Sequence, residues 1–176
     1  MKQRLILVLI NLFGGIIVLR SYYLGLSGDL GAEVFWGGVP ESIWPLFYAS
    51  MVVAALGYVA FLFFLVAKVQ PGEATIGGRL GYGVFYLIFI LILVASAFWM
   101  PLTRAYAEEP TAGMWVAVRV VLAVVGLASI ALAWALLWLR PGNRGVSYWA
   151  AVAGSTYFAF HTAILDAVVW AALFRS

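Results

Sequence analysis

The chain has 176 residues, of which 66% are hydrophobic and only 10% carry a charge. Since a soluble domain has about 25% charged residues, this chain has too little polar surface to cover a water-soluble globule. The sequence has no cysteine and one histidine, which excludes disulfides, thiolate catalysis and metal sites rich in cysteine or histidine. The length fits one domain, and the composition predicts that this domain lies in a lipid bilayer.

Apolar runs long enough to cross a bilayer recur five times, and a spanning helix needs about 20 such residues. Linkers rich in proline and glycine separate the runs. The first run follows Lys2 and Arg4 like a signal peptide, but residues 24–27 are a poor cleavage site, so we interpret it as a retained helix. The sequence predicts an all-α integral membrane protein, a single five-helix transmembrane bundle with helices at about 5–24, 43–67, 83–102, 114–139 and 148–174.

Basic residues are unevenly divided between the two ends of the predicted bundle. The N-terminus and the second and fourth linkers hold Lys2, Arg4, Lys68, Arg79, Arg140 and Arg144, whereas most acids lie on the opposite side. Short cytoplasmic loops carry an excess of Lys and Arg, so we predict a cytoplasmic N-terminus and an external C-terminus in a bacterial inner membrane. Basic residues scattered over helix ends do not indicate nucleic-acid binding.

Asp166 and Arg119 lie inside predicted helices, where a charge costs roughly 3 kcal/mol on insertion scales. Asp166 is about eight residues, or roughly 12 Å, from the outer end of the fifth helix. Arg119 enters the fourth helix from the same side, so a buried Arg119–Asp166 pair would relieve both costs. The alternative is that Arg119 extends to the headgroups, while a neutral Asp166 bonds to a backbone carbonyl or Thr162.

His161 lies near the predicted centre of the bilayer, five residues before Asp166. On an α-helix this spacing separates two side chains by about 140°, so we do not expect them to share a face. Two interpretations of His161 are open: a neutral side chain bonded to another helix, or a contact to a ligand or a haem. Thr162, Asp166 and Trp170 are expected to form one stripe of a pocket wall, unless Trp170 belongs to the interfacial aromatic belt.

Aromatic side chains are concentrated at the end opposite the basic linkers. Belt anchoring does not readily explain Trp36 in a glycine-rich linker or Trp99 next to Met100-Pro101. Pockets for apolar ligands are lined by aromatic side chains with a few polar groups, and we expect the linker at 25–42 to fold back as a roof. The predicted ligand-binding residues are Trp36, Trp44, Phe47, Tyr48, Trp99, Trp115, His161, Thr162, Asp166 and Trp170; catalytic motifs are absent from the sequence.

Four short segments follow one another in the order of a known family. They read WPLFY at 44–48, followed by LGY at 56–58, then FWMPL at 98–102, GMWVAV at 113–118 and LDAVVW at 165–170. They resemble helices two to five of the translocator protein/tryptophan-rich sensory protein (TspO/MBR) family. The resemblance implies a TspO-like five-helix fold that binds porphyrins or sterols. Asp166 stands where the family has Asn, and Arg119 where it has an acid, so the polarity of the pocket differs.

The leading hypothesis is a membrane protein that binds, and moves or senses, an apolar ligand such as a tetrapyrrole, sterol-like lipid, carotenoid or quinone. One alternative is an accessory or assembly subunit that docks another membrane protein through its aromatic face. Another is an intramembrane isomerase that uses Asp166 or His161 as acid or base. The expected partners are the bilayer and the ligand, and the small-residue helix faces and the resemblance leave room for a homodimer.

Overall fold

The computed structural model describes residues 2–27, 31–140 and 144–174, and in these ranges five helices are long and apolar enough to cross a bilayer. The chain is therefore an integral membrane protein built as a helical bundle. Asp29, Arg175 and residues 141–143 of the fourth linker lie outside the described residues. The helices are α1 (Lys2–Leu26), α2 (Trp44–Phe63, extended by a π-helix, Phe64–Lys68), α3 (Val84–Glu108), α4 (Ala112–Trp138) and α5 (Val146–Phe160, continued by a π-helix, His161–Trp170, and a last turn, Ala171–Leu173).

The helix ends differ from the predicted bounds by one to six residues, and two of these differences have local reasons. α3 continues through Pro101 to Glu108, because a membrane helix tolerates proline where neighbouring groups satisfy the freed carbonyl. Arg104 Nε donates to Glu108 Oε1 at 2.8 Å and supports these last turns. α4 begins at Ala112 because Thr111 caps it: the Thr111 hydroxyl accepts a hydrogen bond from the Met114 N–H at 3.2 Å.

The helices pack in the order α1, α3, α4, α5 and α2. Close approach of backbones, rather than hydrophobic burial, holds helices together in lipid, and small residues permit it. A Cβ on Gly57 of α2 would lie 2.6 Å from the carbonyl oxygen of Gly154 in α5. A Cβ on Gly126 of α4 would lie 2.9 Å from the Cα of Ala163 in α5. These contacts hold α5 between α2 and α4.

The basic end of the bundle, which carries Lys2, Arg4, Lys68, Arg79, Arg140 and Arg144, is closed by side chains that donate to helix-end carbonyls. Arg4 donates from Nε and Nη2 to the Val69 carbonyl after α2, at 3.1 and 2.7 Å. The hydroxyl of Tyr148 donates to the Leu136 carbonyl near the end of α4, at 3.2 Å. The last carbonyls of a helix lack their usual partners and lipid offers none, so the Arg4 bonds satisfy the Val69 carbonyl. The Tyr148 bond adds to the one that the Leu136 carbonyl accepts from the Leu139 N–H at 3.3 Å.

The linker between α2 and α3 is not purely irregular, as an all-α prediction implies, because it forms an antiparallel hairpin of β1 (Thr75–Ile76) and β2 (Leu80–Gly81). Gly77 and Gly78 have positive φ angles of 60° and 74°, which both central residues of a type I′ turn require. The Arg79 N–H closes the turn on the carbonyl of residue 76 at 3.2 Å. The glycine pair therefore specifies a hairpin here.

Candidate functional site

The described part of the first linker packs on the end of the bundle opposite the basic end, which we call the aromatic end. Trp170 Nε1 donates to the Phe35 carbonyl at 2.9 Å, and the Gly38 N–H donates to the Phe174 carbonyl at 3.0 Å. At Gly37, φ is 52°, and a Cβ there would lie 2.5 Å from the Phe174 carbonyl oxygen. The linker therefore folds back onto α5, as its aromatic residues predict.

Four of the predicted aromatic residues meet where this linker joins α2. Trp36 stacks on Trp44 with ring centroids 4.9 Å apart and planes 19° apart. The edges of Phe47 and Tyr48 approach Trp36 at centroid distances of 5.7 and 5.2 Å. Trp44 Nε1 donates to the Val39 carbonyl at 3.0 Å, so this indole nitrogen is already paired. The four rings therefore form one aromatic wall.

A second aromatic group surrounds Trp170 of α5. Its ring centroid lies 5.6 Å from that of Trp99, 6.3 Å from that of Trp115 and 4.6 Å from that of Phe174. Indole side chains from separate parts of the chain thus converge, and they pack on one another instead of each facing lipid alone. We call the buried residues that join the two groups the aromatic cluster: Trp36, Val39, Phe47, Trp115, Val118, Leu122, Leu165, Trp170, Ala171 and Phe174.

A chain of polar side chains crosses from α5 to α2 and back beside this cluster. The hydroxyl of Tyr157 donates to Ser50 Oγ at 3.0 Å, and Ser50 Oγ lies 2.9 Å from His161 Nδ1. His161 Nε2 lies 3.5 Å from Asp166 Oδ2, which is an ion-pair contact longer than a hydrogen bond. His161 therefore bonds to another helix, as one of its two interpretations predicts. We call these four residues the polar chain.

The prediction that His161 and Asp166 do not share a face is wrong, because residues His161–Trp170 form a π-helix. Its hydrogen bonds run from residue i to i+5, which brings side chains five positions apart above one another. The expected stripe through Thr162 is altered too. Thr162 is buried and donates to the Phe158 carbonyl of its own helix at 2.9 Å, so its hydroxyl is not presented to a pocket.

The predicted ion pair between Arg119 and Asp166 is absent as well. In the described residues, the ion-pair contact of Asp166 is to His161, and no carboxylate lies at that distance from Arg119. Val118 and Leu122 form the buried face of α4, which turns Arg119 to the exposed side. From there its long stem can carry the guanidinium to the headgroups, the alternative that the sequence left open.

Three polar groups at the aromatic end have incomplete partners. Trp99 Nε1 and Thr103 Oγ1, one turn apart on α3, are buried and have no hydrogen-bond partner among the described residues. Asp166 keeps 27% of its side chain exposed although it lies inside α5. The ring of Tyr22 packs beside Trp99, with the two ring centroids 5.7 Å apart. Unsatisfied buried polar atoms in a native protein indicate a site for water or a ligand.

Sequence reasoning missed Ser50, Thr103 and the bonding role of Tyr157. Ser50 is the one hydroxyl residue of serine or threonine type in the apolar segment Trp44–Phe63, and that signal is visible in the sequence. A polar side chain inside a membrane helix can bond across to a neighbouring helix. Thr103 lay beyond the predicted end of the third helix, so it was not considered as an interior residue.

Comparisons with protein-family models, with curated proteins and with solved structures find no match to this chain. The functional argument therefore depends on the contacts above. Within the described residues, no three or more His, Asp and Glu side chains are grouped so that they could hold a metal ion. The arrangement at the aromatic end instead combines aromatic walls, indole and hydroxyl donors, and one partly exposed carboxyl group.

Proposed function

We propose that this protein binds a flat or elongated apolar molecule, such as a tetrapyrrole or sterol-like lipid, at the aromatic end. One observation carries the proposal: the polar atoms of Trp99 and Thr103 are buried without partners near aromatic rings, while Asp166 stays partly exposed. Ligand pockets combine aromatic walls with a few placed polar groups. A ligand carbonyl or hydroxyl that accepts from the Trp99 N–H would remove the cost of an unpaired buried donor.

The carboxyl group of Asp166 narrows the class of ligand. A ligand hydroxyl or pyrrole N–H can donate to it, whereas a ligand carboxylate would place a second acid against it. The resemblance to the TspO/MBR family implies porphyrins and sterols, but that family has Asn at this position. We therefore favour neutral members of these classes, such as sterols or esterified porphyrins, over porphyrin dicarboxylates.

Quenching of tryptophan fluorescence by protoporphyrin dimethyl ester, in purified protein in nanodiscs, tests the proposal. We expect saturable quenching, with a midpoint that rises about tenfold in Trp99→Phe, since a lost bond to a buried group costs roughly 1.4 kcal/mol. The midpoint should rise less in Asp166→Asn, because the amide oxygen still accepts a hydrogen bond but carries no charge. The midpoint, rather than the amplitude, is compared because Trp99 is itself a reporter. Free protoporphyrin, a dicarboxylate, should bind wild type more weakly than the ester, and Asp166→Asn should reduce this preference.

Trp149→Phe is the matched control, because Trp149 is an exposed indole near the start of α5, at the basic end. Its midpoint should equal that of wild type. Quenching that stays linear with porphyrin concentration, or a midpoint that is the same in Trp99→Phe and wild type, would contradict binding at the aromatic end.

The polar chain favours a second candidate, an intramembrane isomerase. With the proton of His161 on Nε2, Tyr157 donates to Ser50, Ser50 donates to Nδ1, and Nε2–H faces Asp166. Such a chain can supply or accept a proton at a bound double bond. The test is conversion of a β,γ-unsaturated sterol ketone to its conjugated form, read by ultraviolet absorbance. Activity lost in both Ser50→Ala and Asp166→Asn supports this candidate, and the absence of product with wild type removes it.

A further inference from the structure

A groove at the basic end, distinct from the site above, opens between the hairpin and the last turns of α4. Its cavity volume is about 460 Å³, and its walls are Ile76, Gly77, Arg79, Leu80, Trp134 and Trp138. The hairpin is fixed in place there, since the Gly77 N–H donates to the Trp138 carbonyl at 3.2 Å. On the other side of the bridge between Ile76 and Leu139, the Arg140 N–H donates to the Thr75 carbonyl at 3.0 Å. The groove is therefore a built feature of the fold.

The walls of the groove present donors and a cation without protein partners. Trp134 and Trp138 are 48% and 57% exposed, and their ring centroids are 6.3 Å apart. Neither indole N–H donates to an acceptor in the described part of the chain, whereas the indole N–H groups of Trp44 and Trp170 do. Arg79 is exposed, and among residues 2–27, 31–140 and 144–174 no carboxylate lies at ion-pair distance from it.

We propose that this groove binds an anionic phospholipid, with the phosphate on Arg79 and the two indole N–H groups. Basic pockets at the ends of transmembrane helices bind anionic headgroups, and tryptophan lies at headgroup depth. Charge complementarity supports this occupant, because the basic end carries six Lys and Arg against Glu73 alone in its described linkers. A zwitterionic lipid would bring its own ammonium group toward Arg79 and lose that complementarity.

The surface beside the groove fits an acyl chain. Leu127 and Ile130 are exposed on α4 and continue the stripe of Trp134 and Trp138 toward the middle of the helix. From residue 127 to residue 138 the helix rises roughly 16 Å, which is comparable with half the thickness of the hydrocarbon core. A headgroup at Arg79 therefore leaves one acyl chain lying along apolar surface for its full length.

Quenching by phospholipids brominated on the acyl chain tests the site. The protein is reconstituted in phosphatidylcholine vesicles that contain a minor fraction of brominated phosphatidylglycerol or, in parallel, brominated phosphatidylcholine. The part of the quenching that belongs to the groove is obtained by subtracting the Trp134→Phe/Trp138→Phe variant. Wild type should show about fivefold enrichment of the anionic lipid at these two indoles, the ratio that corresponds to about 1 kcal/mol per basic side chain.

Arg79→Gln should remove this enrichment, so that the ratio falls to about one. Arg144→Gln, at the same end, should leave the enrichment unchanged. Arg144 is a matched control because its guanidinium lies over the Tyr148 ring at 5.5 Å, away from the groove walls. Equal losses in the two variants would indicate diffuse attraction to the basic end and overturn the site. Equal quenching by the two lipids would also overturn the site. So would the absence of quenching, because another copy of the chain would then cover the groove, and relief of quenching by inorganic phosphate.

Discussion

At the basic end, helix-end carbonyls receive hydrogen bonds from side chains, whereas at the aromatic end two buried polar atoms on α3 have no partner among the described residues. Arg4 and Tyr148 donate to the ends of α2 and α4, and Tyr82 donates to the Leu65 carbonyl at 3.0 Å. By contrast, Trp99 Nε1 and Thr103 Oγ1 are left unpaired. Since both ends lie in the same bundle, the difference does not follow from helix packing alone.

The comparison indicates that the two ends have different tasks. A buried polar group with a partner contributes to stability, whereas one without a partner costs roughly 1–3 kcal/mol. A protein retains such a cost where function needs it, because stability and site chemistry compete. We infer that the hydrogen bonds to helix-end carbonyls at the basic end stabilise the fold, whereas the two buried unpaired atoms at the aromatic end are kept for the ligand proposed above.

The largest expected effect comes from breaking the contact on which both ends depend. Gly57→Val would place side-chain atoms where the Gly154 carbonyl already lies, since even a Cβ would approach it to 2.6 Å. We expect a loss of about 3 kcal/mol, near the upper part of the range for overpacking, measured as thermal unfolding in detergent. Gly15→Val is the control, because a Cβ at Gly15 meets nothing within 4 Å. Similar unfolding temperatures for the two variants would contradict the close α2–α5 crossing.

Deleting one hydroxyl group at each end should change the stability by less, and in opposite directions at the two ends. Tyr148→Phe removes the donor to the Leu136 carbonyl and should destabilise the protein by about 1–2 kcal/mol. Thr103→Val removes a buried hydroxyl without a partner and should stabilise it by about 1 kcal/mol. Both are measured by thermal unfolding without ligand. Thr162→Val, which loses a bond within its own helix, should lie between them. Destabilisation by Thr103→Val would show that its hydroxyl has a partner, such as a bound water.

The membrane class and the helix contacts were predictable because they depend on composition. Runs of apolar residues predict five spans, and the small residues around Gly57, Gly126 and Gly154 predict close helix crossings, both of which the structure confirms. The packing of the first linker was also predictable, since a glycine-rich loop that carries Phe35 and Trp36 is expected to bury these side chains against the bundle. The hairpin was missed although the Gly77-Gly78 pair signals it, because the linker was interpreted only as a break between helices.

The candidate site was less predictable because its geometry depends on backbone states that have no clear sequence pattern. An α-helical period separates His161 from Asp166, and only the π-helix brings them together. The direction of Arg119 follows from which face of α4 packs on its neighbours, and the amphipathic pattern is weak in a helix that is apolar all round. Ser50 became relevant only once α2 and α5 were known to be in contact.

The smallest expected effect is a pH dependence at the basic end, from a tyrosine outside the membrane-spanning helices. Burial raises the pKa of Tyr82 to about 12 from 10.0, so its neutral form is favoured in the folded state. The stability that this contributes is complete below pH 10 and is lost as the pH rises through about 12. Near pH 10 the loss amounts to roughly 0.4 kcal/mol, because half of the unfolded tyrosine is then ionised.

Thermal unfolding of wild type and Tyr82→Phe at about pH 8 and about pH 10 isolates this effect, since the ionisation of the other tyrosines is common to both proteins. Wild type should lose slightly more stability over this interval than the variant. The variant should be less stable at both pH values, because it lacks the donor to the Leu65 carbonyl. If the two proteins lose equal stability with rising pH, then water reaches the Tyr82 hydroxyl, and the basic end is not sealed as the comparison of the two ends requires.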